Sequence, residues 1–232
     1  MMLDRRETLR DEKKFIISRP VYEILRSRLS AALDSDGHYG KSQPYLVRSL
    51  YFDDINMTAF RSKLNGIENR TKYRLRCYNL DSDYMVFEKK EKRADKSYKL
   101  GVRVSARLAE GMLSGDCDCL NCSNEPLLRE FYVLSRYRGL HPSVLVDYSR
   151  IAFTFPLGDV RLTLDSGISS GAYSTDFFGR EVAGFPVLDD GFSVFEVKYN
   201  GILPPHISHL FEDLPLTLSS SSKYCMSLSL LL

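Results

Sequence analysis

The octapeptide TKYRLRCY, Thr71 to Tyr78, sets Lys72, Arg74 and Arg76 on alternate residues, with Tyr73, Leu75 and Cys77 between them. Successive side chains of an extended chain point to opposite sides, so the three cations share one face at intervals of roughly 7 Å. At an effective dielectric near 20, each neighbouring pair costs about 2 kcal/mol unless water or an anion relieves it. The chemistry suited to such a row is the holding of a polyanion. The pattern recurs along the chain. RDEKKF puts Arg10, Glu12 and Lys14 on one side, and FEKKEK does the same with Glu88, Lys90 and Lys92. VRLTLD groups Arg161, Thr163 and Asp165, and FEVKY pairs Glu196 with Lys198.

For any single strand these are the polar faces of an ordinary half-buried sheet. The interleaved residues change that reading. Val160, Leu162, Leu164, Phe195, Val197 and Tyr199 need a cover, which helices packed outside a barrel supply, and the charged faces then point inward. An interior lined with both signs but richer in cations is a site for a polyanion, because so many unpaired buried cations are otherwise prohibitive.

The elements needed to position these rows are legible as alternating segments. Strands are expected over Leu9 to Ile17, Leu46 to Phe52, Thr71 to Tyr78, Tyr84 to Lys92, Tyr98 to Val104, Val144 to Phe155, Asp159 to Ser166 and Ser193 to Tyr199. Helices are expected from Ser18 and Pro20 through Ala32, over Asn56 to Leu64, from Ser105 through Met112, over Glu125 to Tyr137, and from a Ser222 cap through Leu232. About eight strands with short helical links predict an α+β fold built on an antiparallel, closed or nearly closed β-barrel with flanking helices.

The 232 residues, 44% hydrophobic and 27% charged, suffice for one large domain, residues 1–232. No apolar run is long enough to span a bilayer, and the charged N-terminus carries no signal-like stretch, so a cytoplasmic protein with reduced cysteines is expected. The net charge of +2 conceals asymmetry. Arg61 to Arg103 holds thirteen Lys and Arg against six Asp and Glu, whereas Ile151 to the end holds four against nine. The middle segment is therefore the anion-facing part.

EKKFI, SLYFDD, YRLRCY, VFEKKEKRADKSYK, DYSRIAF, VRLTLD, FEVKY and SSKY, in that order, resemble the catalytic domain of the vacuolar transporter chaperone (VTC) family of polyphosphate polymerases, within the CYTH-like triphosphate tunnel metalloenzymes. The resemblance runs from about Arg10 to Leu232. It implies a tunnel closed by the C-terminal helix, with ATP and inorganic polyphosphate as partners rather than nucleic acid. It places Lys14, Arg74, Arg76, Lys90, Arg150 and Arg161 around the triphosphate and adds Lys99, Tyr148, Lys198, Ser222 and Lys223 as further phosphate contacts, which Lys72 joins through its place in the TKYRLRCY row. Glu196 matches the metal-binding glutamate, helped by Glu12 or Glu88, with Mn²⁺ or Mg²⁺ as the ion. Two positions depart from the pattern. Arg10 replaces the first carboxylate of a Glu-x-Glu-x-Lys frame, exchanging a metal ligand for a phosphate fork. Ser220 stands where the family carries a basic residue. In fungal members the domain is joined to membrane and sensor segments not seen here, which leaves room for a separate membrane partner. A triphosphatase, and a sensor that binds polyphosphate or nucleotide without turnover, stay open as alternatives.

Other signals are weaker. Gly40, Lys41 and Ser42 imitate the end of a phosphate-binding loop, but Ser35 stands where its first glycine belongs, so a plain loop is expected. Cys117, Cys119 and Cys122 lack a nearby histidine and read as a reduced surface loop, and His206 and His209 as a short surface helix. Tyr73, Tyr78, Phe87 and Tyr98 are of a type that stacks bases, yet fall mostly on apolar faces and read as core.

Overall fold

The computed structural model describes residues 11–35, 43–93, 96–180, 182–220 and 222–232. The expectations for Arg10 and for the Gly40, Lys41 and Ser42 loop lie outside the described residues. Along the chain run β1 (Asp11–Ser18), α1 (Arg19–Ala32), β2 (Asp34–Ser35), β3 (Tyr45–Asp53), α2 (Thr58–Leu64), β4 (Arg70–Tyr78), β5 (Met85–Arg93), β6 (Lys96–Val104), α3 (Ala106–Ser114), α4 (Asp118–Asn121) and α5 (Pro126–Arg138). There follow β7 (His141–Phe155), β8 (Val160–Ser170), β9 (Phe185–Pro186), β10 (Phe192–Tyr199), α6 (Pro205–Ser208), β11 (Thr217–Leu218) and α7 (Lys223–Ser229).

All strands join one antiparallel sheet in the order β11-β1-β10-β8-β7-β3-β4-β5-β6, with β2 on β7 and β9 on β8. No ladder joins β6 to β11 among the described residues, so the sheet is open where a closed barrel was one expectation. It is nevertheless curled. β1 and β5 stand six ladders apart in that order, roughly 29 Å on a flat sheet. Yet Lys90 Nζ on β5 donates to Glu12 Oε2 on β1 at 2.8 Å. Only a sheet bent back on itself allows that contact, and the result is a tunnel with a seam.

Apolar cover on the outside explains the curl. Helix α1 begins with a proline in its first turn and buries Val21, Leu25 and Leu29, one face at four-residue spacing, against Ile17, Leu162, Leu164 and Phe195. The other half of the outer face, with Leu75, Phe87 and Val102, packs on Met112 of α3 and Phe131 of α5. Helix α3 takes its Ser105 cap, whose Oγ accepts from Leu108 N, and α5 ends on Gly139 in the left-handed region at φ 63°. Segment 117–122, expected as a loop, forms the short helix α4 because Cys117 and Leu120 are buried beneath it. His206 and His209 fall on and just after α6, as expected.

Helix α7 closes the inner side. Tyr224 and Leu228 join Tyr45, Val47, Tyr51 and Tyr148 in an apolar cluster, and Tyr224 donates to Asp53 Oδ2 at 2.5 Å. Asp53 in turn accepts from the backbone N–H groups of Ala59 and Phe60 at the start of α2. The sequence pieces SLYFDD and SSKY thus meet through one aspartate. The helix ends at Ser229, short of the expected Leu232, with Leu230 and Leu232 exposed.

Candidate functional site: a basic tunnel

Strand alternation and register bring the expected cations to one concave face. Lys72, Lys90 and Lys99 are direct cross-strand neighbours on β4, β5 and β6. Three lysines side by side at the roughly 4.8 Å strand spacing repel one another, a ladder that an antiparallel sheet normally avoids. Arg161 and Lys198 form a second like-charged cross-strand pair on β8 and β10.

Carboxylates partly compensate. Arg74 and Lys99 both bind Glu88, which is almost fully buried. Lys14 and Lys90 share Glu12 at 2.5 and 2.8 Å, and Lys198 holds Glu196 at 2.7 Å. Arg150 grips Asp165 with two bonds of 2.6 and 2.8 Å, and Lys223 from α7 reaches the same carboxylate at 2.5 Å. Arg76 donates to Ser49 Oγ and to Tyr148 Oη, both at 3.0 Å. The Tyr148 ring is covered by Arg150 and Lys223, at 5.1 and 4.7 Å from its centroid. Lys72 donates to Ser222 Oγ, which also caps α7 by accepting from Cys225 N. Seven of the expected Lys and Arg side chains, Lys14, Lys90, Arg74, Lys99, Lys198, Arg150 and Lys223, therefore pair with four carboxylates, Glu12, Glu88, Asp165 and Glu196. Ser220, the departing position, is exposed before α7.

This crowding sets the protonation states. Burial alone would raise the Asp165 carboxyl, but Arg150 and Lys223 overcome it and hold its pKa at about 2. Burial and Glu196 also push Glu12 up, and Lys90, Lys14 and Lys198 bring it down to about 2. Glu196 and Glu88 lie well below the usual carboxylate range, held there against burial by Lys198 and Lys14 and by Arg74 and Lys99. Burial depresses Lys198 to about 8, only partly offset by Glu196. All four acids are thus anionic and weakly basic at neutral pH.

Two of the four acids have the chemistry to contribute to a divalent-cation site. Glu12 and Glu196 face each other's lysine partners across β1 and β10, in the pairs Glu12 with Lys198 and Lys14 with Glu196, and Glu196 raises the proton affinity of Glu12. Two ionised carboxylates on adjoining strands fit part of the oxygen set of Mg²⁺ or Mn²⁺. Among the described residues no group of three or more His, Cys, Asp or Glu stands together to hold an ion, so any ion bound here would draw further oxygens from water or a ligand. Glu88 is taken up by Arg74 and Lys99, as Glu12 is by Lys14 and Lys90 and Glu196 by Lys198, so an ion would have to displace a lysine from either of those two.

Several residues escaped the sequence reading. Asp165 shares its strand face with Arg161 in sequence, and only the fold makes it the anion between Arg150 and Lys223. Ser49 and Tyr51 carry no local signal beyond alternation with the apolar side of β3, although burial on the Tyr51 hydroxyl is overcome by Arg74 and Arg76, which lower its pKa.

A curled antiparallel sheet around a cation-rich hollow, sealed by a C-terminal helix, is the architecture of the triphosphate tunnel, or CYTH-like, proteins. The VTC domain profile matches residues 9–232, and the chain belongs to the VTC-domain family. Its fold is similar to PH1819 of Pyrococcus horikoshii, at TM-score 0.51 and 11% identity over 95% of this chain and 98% of that one. It is also similar to an adenylate cyclase candidate, bh2851, of Bacillus halodurans, at 0.51 and 16% over 89% of each chain. The third is HpAC1 of Hippeastrum, an adenylyl cyclase candidate described as having a dominant triphosphatase activity, at 0.52 and 14% over 94% and 96%. Identities this low speak to fold alone. A comparison with curated proteins gave no match. No helix among the described residues is long and apolar enough to cross a membrane.

Proposed function

We propose that the protein is a polyphosphate polymerase that transfers the γ-phosphoryl group of ATP to a growing inorganic polyphosphate chain within the tunnel. The observation that carries this is the lysine ladder, Lys72 beside Lys90 beside Lys99, whose repulsion Glu12 and Glu88 offset only in part and a polyanion laid across the three strands would relieve further. The family supplies the substrate class.

Phosphoryl transfer asks the protein for alignment and charge neutralisation more than for covalent chemistry. Lys14, Arg74, Arg76, Lys90, Arg150 and Arg161 hold the triphosphate, and Lys72, Lys99, Tyr148, Lys198, Ser222 and Lys223 extend the track for the acceptor chain. The terminal oxygen of the acceptor attacks the γ-phosphorus, the bond from that phosphorus to the β,γ-bridging oxygen breaks, and ADP leaves with the bridging oxygen. Arginines already fixed in place neutralise charge moving onto the leaving group, at no cost in reorganisation. Glu196 and Glu12 would hold Mn²⁺ or Mg²⁺, which when bound supplies Lewis-acid polarisation of phosphate oxygens. The four carboxylates are all tied to cations and held weakly basic, so none is poised to deprotonate water, whereas a phosphate terminus attacks already charged. This favours synthesis over hydrolysis.

Purified protein with ATP and Mn²⁺ should give long chains, resolved on a gel, and ADP. Orthophosphate alone would assign a triphosphatase, and tight binding without turnover a sensor. Glu196→Gln should eliminate synthesis while leaving polyphosphate affinity largely intact.

A further inference from the structure

The inward row on β4 does not end at its last cation. Lys72, Arg74, Arg76 and Tyr78 occupy the same face, so an aromatic ring follows Arg76 by one more interval of roughly 7 Å. Unlike Tyr73 and Phe87, which are buried in the outer core, Tyr78 is only half-buried. Tyr84 leans against it, with ring centroids 6.2 Å apart and planes inclined by 42°. The Arg103 guanidinium from β6 lies 4.7 Å from the Tyr84 centroid and donates to the Asp83 carbonyl at 3.2 Å. Tyr45 braces Tyr78 edge-on from the buried side at 6.0 Å. The turn that returns Tyr84 to this position is strained, because Asn79 and Leu80 both adopt positive φ, 49° and 57°. Leucine rarely accepts that conformation, and strain of this kind is retained where surrounding structure holds a side chain to a task.

We propose that Tyr78, Tyr84 and Arg103 form a stacking shelf for the nucleobase of the incoming nucleotide. The proposal rests on the reading that ATP places its phosphates along the tunnel. A nucleotide carries its base one ribose beyond the α-phosphate, and the shelf stands one step beyond the last phosphate-binding arginine of β4. Tyrosine faces and a guanidinium plane offer sandwich surfaces to any base, so the shelf selects for a base without choosing which one. Inorganic phosphate chains gain nothing from it. The shelf therefore gives one tunnel a means to distinguish donor from acceptor: the nucleotide is registered with its base outside the cation row, and the polyphosphate chain is held by cations alone.

The test compares a non-hydrolysable ATP analogue with inorganic tripolyphosphate by calorimetry at fixed salt and Mn²⁺, for wild type, Tyr84→Ala, Tyr84→Phe and Arg103→Ala. Loss of one stacking partner should weaken the ATP analogue about ten-fold in Tyr84→Ala and less in Arg103→Ala, with Tyr84→Phe close to wild type. Tripolyphosphate affinity should hold throughout, which also certifies folding of each variant. A GTP analogue should behave like the ATP analogue. If wild type binds both ligands and every variant leaves their ratio unchanged, the shelf is wrong and the tunnel reading stands. If wild type binds neither, the tunnel reading fails and the shelf with it.

Discussion

Two arginine–aspartate pairs flank strand β7, one on each face of the sheet. On the outer face Arg48, 1% exposed, donates from Nε and Nη2 to Asp147 at 2.7 to 3.2 Å, and from Nη1 to the carbonyls of Phe177 and Gly179. One cation meets one anion, and two backbone carbonyls take up the Nη1 donors. On the inner face Asp165 is shared by Arg150 and Lys223, while Arg76 nearby has only neutral hydroxyls as bonded partners. The outer pair is balanced and ties the segment around Phe177 to the sheet. The inner cluster carries surplus positive charge for which no matching anion is found among the described residues. Buried charge is thus balanced on one side of a strand and in surplus on the other, and net local charge separates the two clusters better than the residue types do.

Substitutions on either side should separate a role in stability from a role in recognition. Arg48→Ala strands the Asp147 carboxylate and two carbonyls, and should cost about 3–5 kcal/mol of stability, read as a lowered denaturant midpoint, with turnover per folded molecule preserved. Arg150→Ala leaves Asp165 its Lys223 partner, so its larger effect should be on chemistry, a fall in polymer synthesis of about 100-fold or more. An Arg48 variant that stays stable yet loses turnover, or an Arg150 variant that unfolds with turnover per folded molecule intact, would reverse the comparison.

A smaller effect follows from pH. The Asp165 carboxyl is held at about 2 when folded, against 3.8 for the free group. The folded value is depressed, so its contribution is fully present above about pH 4 and is lost as pH falls toward 2. The amount is on the order of 2 kcal/mol, to be read from urea midpoints across that window. Asp165→Asn should flatten the acid limb of that profile, and an unchanged limb would mean that the pairs at Asp165 add nothing to stability.

Much of the fold is legible in the sequence because alternation is local. Val160, Leu162 and Leu164 against Arg161, Thr163 and Asp165 announce a strand with one greasy and one charged face, and all eight longer strands emerge within a few residues of their expected bounds. Helices α1 and α3 carry their start signals in plain view. What stayed hidden is set by partners distant in sequence. Arg48 reads like any other strand cation until Asp147, 99 residues on, takes it up. Asp53 looks like a turn residue until Tyr224 bonds it from α7. The two-residue strands β2, β9 and β11 are too short to carry a period and exist only as pairings onto longer strands. The open seam was equally hidden, since closure depends on whether β6 finds a neighbour. Tyr78 does pack against an apolar cluster, that of Tyr45 and Val47, but its parity with Arg76 sets it on the inner face, where it stays half-buried.

The central claim is that the inner face of the curled sheet receives the phosphate chain. A crystal of the protein soaked with tripolyphosphate and Mn²⁺ tests it most directly. The account predicts density threading the hollow between Arg74, Arg150 and the Lys72, Lys90 and Lys99 ladder, with the ion near Glu196. Phosphate density confined to the outer helices, with the hollow holding only water, would contradict it.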